Sequence, residues 1–259
     1  MDLGIKGRKA IVCGSSEGLG KACAISLARE GVDVWLVART EAKLKLAAEE
    51  IRKVDGVGKV SWVAADLLTA EGQAAILKAC PEPDILITNF GNSPKGKVLS
   101  FDASTWATAV DRHMIQPIML IRAVLDGMVA RKFGRVVNIL SRGIKMPMMF
   151  HTLGNSPRAA LSHFVGSAAR EVAAHNVTIN NVLPGPFATA TQAINLRKIA
   201  EKEGVDFETY AKRQTADVPS GRLGDPEELG NFCAYLCSAK AGYIVGQNLL
   251  IDGGVVDLI

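Results

Sequence analysis

A chain of 259 residues, 48% hydrophobic and 22% charged, can bury a full core and suits a single α/β domain over residues 1–259. Its formal charge of +4 is spread along the chain without aromatic-interleaved basic clusters, which argues against a nucleic-acid partner. No apolar run reaches the ~18 uncharged residues of a membrane span, and the start, Met1 to Lys9, lacks a secretory apolar region, so a soluble cytoplasmic protein without a membrane partner is expected.

Strand-like segments at 9–13, 33–37, 60–64, 84–88, 135–140, 177–183 and 244–251 alternate with helical periodicity. This pattern predicts a parallel sheet covered on both faces, with the site at the carboxyl edge of the strands. The first strand runs through Ala10-Ile-Val-Cys13 into Gly14-Ser-Ser-Glu-Gly18-Leu-Gly20, before a helical stretch from Lys21 to Glu30. Glycines there permit a tight turn and close approach of a pyrophosphate to the helix N-terminus. The second strand ends at Ala38 and Arg39. An acid at that end would hold the adenosine ribose hydroxyls, whereas an unopposed Arg suits a 2′-phosphate, so NADP(H) is favoured over NAD(H), with Glu17 pointing the other way. Cys13, Cys23, Cys80, Cys233 and Cys237 lack a His or Cys partner set, and reduced buried thiols are expected rather than a metal site or disulfides.

From the glycine turn onward the chain resembles the short-chain dehydrogenase/reductase family. Further matches follow in order: Asp66-Leu67, Asn89-Phe-Gly91, Asn138-Ile-Leu-Ser141, Asn181-Val-Leu-Pro184-Gly185-Pro-Phe187-Ala-Thr189, Gly221-Arg-Leu-Gly-Asp-Pro226 and Asp252-Gly-Gly254. The resemblance implies a Rossmann-like, doubly wound, seven-stranded sheet and a homotetramer. It implies that Gly14, Ser16, Gly18, Leu19 and Gly20 form the phosphate turn. It further places Asp66 and Leu67 at the adenine, Asn89 and Gly91 on the adenosine side, and Pro184, Gly185, Phe187 and Thr189 toward the nicotinamide. Residues 189–222, the longest irregular candidate, with the helical piece Asn195 to Glu203 and cations Arg197, Lys198, Lys202, Lys212 and Arg213, would form a substrate lid.

The reaction centre departs from the family. The substrate-positioning Ser is kept as Ser141, but the Tyr expected thirteen residues later is Gly154, and the Lys four residues beyond is Arg158. The relay Asn is His113, and no Tyr precedes Tyr210. Arg158 can still bind a ribose hydroxyl, yet is a poor proton shuttle. Asn155-Ser-Pro157 reads as a helix start, which would leave His151 to Gly154 on a loop. His151 is then the leading replacement acid and His113 the second candidate. Arg142, Lys145, Lys95 and Lys97, beside Met146 to Phe150, suit a small-molecule substrate with an apolar body and an anionic group. The leading expectation is an NADP(H)-dependent oxidoreductase acting on a carbonyl or secondary alcohol, including acyl or keto-acid substrates. A catalytically silent NADP(H)-binding sensor or partner subunit, and a non-redox lyase or dehydratase, remain the alternatives.

Overall fold

Seven strands lie parallel in one sheet: β1 (Lys9–Cys13), β2 (Asp33–Ala38), β3 (Val60–Ala64), β4 (Ile85–Thr88), β5 (Gly134–Ile139), β6 (Val177–Pro184) and β7 (Asn248–Ile251). Their order is β3-β2-β1-β4-β5-β6-β7, so the winding reverses between β1 and β4 and opens a crevice at the carboxyl ends of those strands. This computed structural model describes residues 1–257, apart from the side chains of Thr191, Asn195, Lys198, Phe207, Tyr210, Ala211, Lys212 and Gln214.

Residues of β4 and β5 are buried throughout, as a sheet covered on both faces requires. Helices α1 (Gly18–Arg29), α2 (Glu41–Arg52) and α9 (Pro226–Leu236) cover one face through Leu27, Leu44, Ile51 and Leu229. On the other lie α3 (Ala70–Ala79), α5 (Gln116–Ala130) and α6 (Thr152–Val172), packed through Ile76, Ile121, Val124, Leu161 and Val165. A short α4 (Ala103–Val110) joins α5 through a π turn, Asp111–Ile115. The continuous stretch Ala103–Ala130 has the length and mean hydropathy (1.2) of a membrane span. It carries Asp111, Arg112, Arg122 and Asp126, however, and buries Leu120, Ile121, Val124 and Met128 against the sheet.

Beneath the carboxyl edge a polar chain crosses the sheet interior. Thr88 donates to Asn138 Oδ1 (2.6 Å), Asn138 to Asn181 Oδ1 (3.0 Å), and Asn181 to Asn248 Oδ1 (2.8 Å), which also accepts from Ser162 (3.0 Å). Such linked buried amides hold neighbouring strand ends in one register.

Three local expectations are corrected. β7 begins at Asn248 rather than 244, because Asn180 draws the preceding residues into a turn. Its side chain donates to the Ile244 carbonyl and accepts from the Gln247 amide, while Gly246 takes φ 68°. Residues 189–222 are mostly regular: α7 (Ala190–Glu203) is capped by Thr189, Gly204 ends it in the left-handed region, and α8 (Phe207–Ala216) is capped by Asp206. Finally, α6 starts at Thr152, so Gly154 is helical and Pro157 lies inside the helix. The proline removes the rung to the Leu153 carbonyl. The turn is held instead by Gly154 and Asn155 amides on the His151 carbonyl (both 3.1 Å), and by Arg158 on the Gly154 carbonyl (3.0 Å).

Candidate active site

The turn after β1 is built from backbone. Gly14 and Gly18 sit at φ 59° and 60°, in the region that glycine enters freely. A Cβ on Gly20 would stand 2.3 Å from the Gly14 carbonyl, so only glycine lets α1 approach this closely. Helix α1 starts at Gly18 behind Glu17, whose side chain makes no cap bond, so first-turn amides stay available to an anion. The turn is anchored by Ser15, which the sequence reading passed over. Its buried hydroxyl donates to the Val12 carbonyl (2.7 Å) and accepts from the Val37 amide (2.9 Å). Neighbouring Ser16 is half-buried.

Other cofactor candidates ring this turn. Asn89 donates to the Gly14 carbonyl at 3.4 Å. A Cβ on Gly18 would meet nothing nearer than Thr189, at 3.8 Å, which leaves room for a ligand between the β1 and β6 ends. Asp66 accepts from the Leu68 amide (3.0 Å), and Leu67 is buried in the core. Gly185 passes Asp252 so closely that a Cβ would lie 2.6 Å from its Cα. The Phe187 ring is 6% exposed and packs over Gly224, so mainly backbone remains at that position for a ligand. Thr189 Oγ1 is engaged by the Gln192 amide (3.2 Å).

At the end of β2, Arg39 is exposed and has no polar partner among the described residues. Glu17 is instead held by Lys43 Nζ at 3.0 Å, a lysine in the first turn of α2 that the sequence reading did not weigh. The acid that argued against a phosphate is therefore engaged by a surface cation of the protein itself.

Side chains build the opposite wall. Ser141 follows β5 and its Oγ accepts from the Gly143 amide (3.0 Å), opening a short 3-10 turn. Arg158 is 8% exposed. It donates to the carbonyls of Gly154 (3.0 Å), Gly91 (3.1 Å) and Phe90 (3.4 Å), and no carboxylate pairs with it among the described residues. Burial, reinforced by Arg112, lowers its pKa to about 10, which still leaves a cation at neutral pH. A Cβ on Gly154 would come 2.7 Å from Arg158 Nη1 and 3.5 Å from Ser93 Cβ, so the guanidinium fills the room of a side chain at 154.

His113, 1% exposed, hangs from the π turn with Nε2 2.8 Å from Ser93 Oγ. Burial, then the charges of Arg158 and Arg112, depress its pKa to about 3, so the ring is neutral. His151 stands at the N-terminus of α6 with Nδ1 2.9 Å from the Met149 carbonyl. A carbonyl only accepts, so that contact requires a proton on Nδ1. Asn155 is buried with Nδ2 unpartnered, in the space that a Cβ on Gly143 would enter. The loops carrying Lys95 and Phe150 are joined by the Gly96 amide on the Phe150 carbonyl (3.1 Å), leaving Met149 and Phe150 exposed.

A family model described as enoyl-(acyl carrier protein) reductase matches residues 14–256. The 3-oxoacyl-[acyl-carrier-protein] reductase FabG of Vibrio cholerae is 31% identical over 98% of this chain and 99% of its own length. The chain belongs to the short-chain dehydrogenase/reductase family. Among solved structures, L-sorbose reductase from Gluconobacter frateurii, complexed with NADPH and L-sorbose, superposes with TM-score 0.95 at 31% identity, covering all of both chains. YwfH, an NADPH-dependent reductase involved in bacilysin biosynthesis, reaches 0.91 at 25% identity over 98% of this chain and all of its own.

In this short-chain dehydrogenase/reductase the structure draws Arg158 and His113 into one polar cluster, adding Ser93 and Arg112, which sequence spacing does not reveal. His151 belongs instead to the Met149 loop. Within residues 189–222 Arg197, Lys202 and Arg213 are exposed, whereas the Lys198 and Lys212 side chains lie outside the described residues. The five cysteines are buried and unbridged, and burial pushes the Cys13 and Cys80 thiols up to about 12.

Proposed function

We propose that this chain is an NADP(H)-dependent reductase of a small carbonyl compound, working with an atypical reaction centre and able to run in the alcohol-oxidising direction. The observation that carries the reading is the pairing of the Gly14–Gly20 turn with an exposed, unpartnered Arg39 beside a Glu17 already engaged by Lys43. The free guanidinium suits a 2′-phosphate, and the open side of Gly18 suits a pyrophosphate. When bound, NADPH supplies hydride. Ser141 would position the substrate oxygen, and Arg158 would contribute positive charge beside it. The NADPH complex of the sorbose reductase and the NADPH dependence of YwfH support the cofactor assignment.

For the substrate we favour a ketone with an apolar body and an anionic group. Met149 and Phe150 form an exposed apolar lip, with Arg142, Lys145, Lys95 and Lys97 on the same loops. The names of the relatives, a 3-oxoacyl reductase and a ketose reductase, share a ketone substrate. Fluorescence titration with NADPH and NADH, followed by product analysis on keto acids, acyl ketones and ketoses, tests the reading. Equal affinity for both nucleotides would break the cofactor assignment.

A second reading, a silent NADP(H)-binding sensor or partner subunit, is favoured by one observation: Arg158 occupies the room where a side chain at position 154 would stand. Tight NADPH binding without product from any ketone would decide for it. We also propose a homotetramer, supported by Ile115 and Met119, which are exposed on the long helix that ends in α5. Light scattering at the monomer mass would count against it.

A further inference from the structure

Carbonyl reduction leaves a substrate oxygen in need of a proton, and the chain has no tyrosine before Tyr210 to supply it. We infer that Ser93 delivers that proton and His113 reloads it, the pair replacing an acid on residue 154. The inference rests on the reductase reading above.

Several groups converge on the bare face of Gly154. Ser93 Oγ lies 3.8 Å from the point a Cβ there would take, and Arg158 Nη1 lies 2.7 Å from it. Ser93 also borders a cavity of about 480 Å³ with Asn92, Thr108, Arg112 and Leu153, which gives a small molecule a route to its hydroxyl. Behind Ser93 stands His113 Nε2 at 2.8 Å, presented by the π turn between α4 and α5. Local π geometry of this kind commonly marks functional positions in helices.

The charged groups acting on His113 are Arg158 from α6 and Arg112 from its own turn; with burial they hold the ring neutral. A neutral imidazole is not a store of an extra proton, but it can pass one by changing tautomer. In the reductive direction, hydride supplied by a bound reduced nicotinamide would reach the carbonyl carbon and leave the π pair, and the need for a proton, on the oxygen. That oxygen takes the Ser93 proton, directly or through one water. Ser93 Oγ then takes the Nε2 proton of His113, and Nδ1 takes one from solvent; the cavity brings water to Ser93 and Arg112, and local opening of the π turn admits it to the ring, which is 1% exposed. The ring ends neutral as the Nδ1–H tautomer, one solvent proton has been consumed per hydride, and exchange with solvent returns the proton to Nε2 before the next turnover. Arg158, a buried cation without a carboxylate partner among the described residues, favours the negative oxygen while the proton is in flight.

The tautomeric relay, whose imidazole stays neutral, is flat in rate between about pH 5 and 8. The test uses the NADPH-loaded protein on a ketone it reduces. Ser93→Ala should lower the single-turnover rate about 10²-fold or more, with Ser93→Thr within about tenfold of the parent and NADPH affinity changed by less than about threefold. His113→Asn, which can hydrogen-bond but not change tautomer, should lower the rate at least about tenfold.

Independently of turnover, ¹⁵N NMR should show His113 as the neutral Nε2–H tautomer between about pH 5 and 8. Its Nε2 resonance should shift in Ser93→Ala. Full activity in Ser93→Ala, His113 titrating near neutrality, or an Nδ1–H tautomer overturns the relay alone. So does a rate that drops tenfold in His151→Ala while Ser93→Ala keeps the parent rate. Tight NADPH binding with no alcohol from any ketone overturns the reductase reading, and the relay with it.

Discussion

Around the β1–α1 turn the recognition chemistry belongs to the backbone: left-handed glycines, a carbonyl 2.3 Å from where a Cβ on Gly20 would lie, and amides at the start of α1. Around the start of α6 it belongs to side chains, with Arg158, His113 and Ser93 packed against a glycine. A backbone site tolerates almost no substitution, because a peptide group cannot move aside. A side-chain site can adjust, since the bare Gly154 and the Arg158 guanidinium fit one another. The comparison teaches that one crevice can fix one wall by backbone and the other by fitted side chains.

The largest expected effect tests the rigid wall. Gly20→Ala places a methyl against the Gly14 carbonyl and should cost about 3 kcal/mol in urea unfolding, with loss of NADPH binding in fluorescence titration. A neutral outcome would erase the contrast between the walls. On the side-chain wall, Arg158→Met leaves the Phe90, Gly91 and Gly154 carbonyls without their donor. It should cost about 2 kcal/mol, measured the same way.

Titration sharpens the same side. His113 takes its proton at 6.5 in an ordinary setting but only at about 3 in the folded protein. Below pH 6.5 the unfolded chain gains a proton that the folded one refuses, so stability falls as pH drops from 6.5 toward 3 and is unaffected above. In His113→Asn the slope of unfolding free energy across this window should be shallower by up to about 1.4 kcal/mol per pH unit.

Smaller effects follow. Arg39→Ala should weaken NADPH about tenfold, roughly 1.4 kcal/mol, and leave NADH unchanged. Gly154→Ala pushes on the guanidinium end of Arg158 rather than on backbone and should cost about 1 kcal/mol. Most of that cost should disappear in the Arg158→Met background, a coupling that a double-mutant cycle reads directly. Additive effects would mean that the two residues were not fitted to one another.

The glycine turn was legible in the sequence because spacing along the chain is spacing in the turn: Gly14, Gly18 and Gly20 lie within a few residues of one another. Arg39 was legible for a similar reason, standing at the end of a recognisable strand. Lys43 and Ser15 were missed there, since engaging Glu17 or the end of β2 depends on how α2 and β2 pack. At the reaction wall Ser141, Arg158 and His113 could be named from their separations. The start of α6 was misplaced, however, because Asn155-Ser-Pro157 carries local helix-start chemistry that tertiary packing overrides. The site at the N-terminus of α6 therefore draws on residues read as a loop.

By itself the sequence determined the seven parallel strands, the glycine turn, the basic end of β2 and the absence of an early tyrosine, since each depends on residue type, periodicity or local spacing. Tertiary structure alone decided that Ser93 meets His113 across 20 positions of chain, that Arg158 reaches back to the loop after β4, and that Gly154 is the room it fills. Those contacts join segments whose separation in sequence carries no geometric signal. Only the stacking of α6 and the π turn against the β4 edge brings them within hydrogen-bond distance.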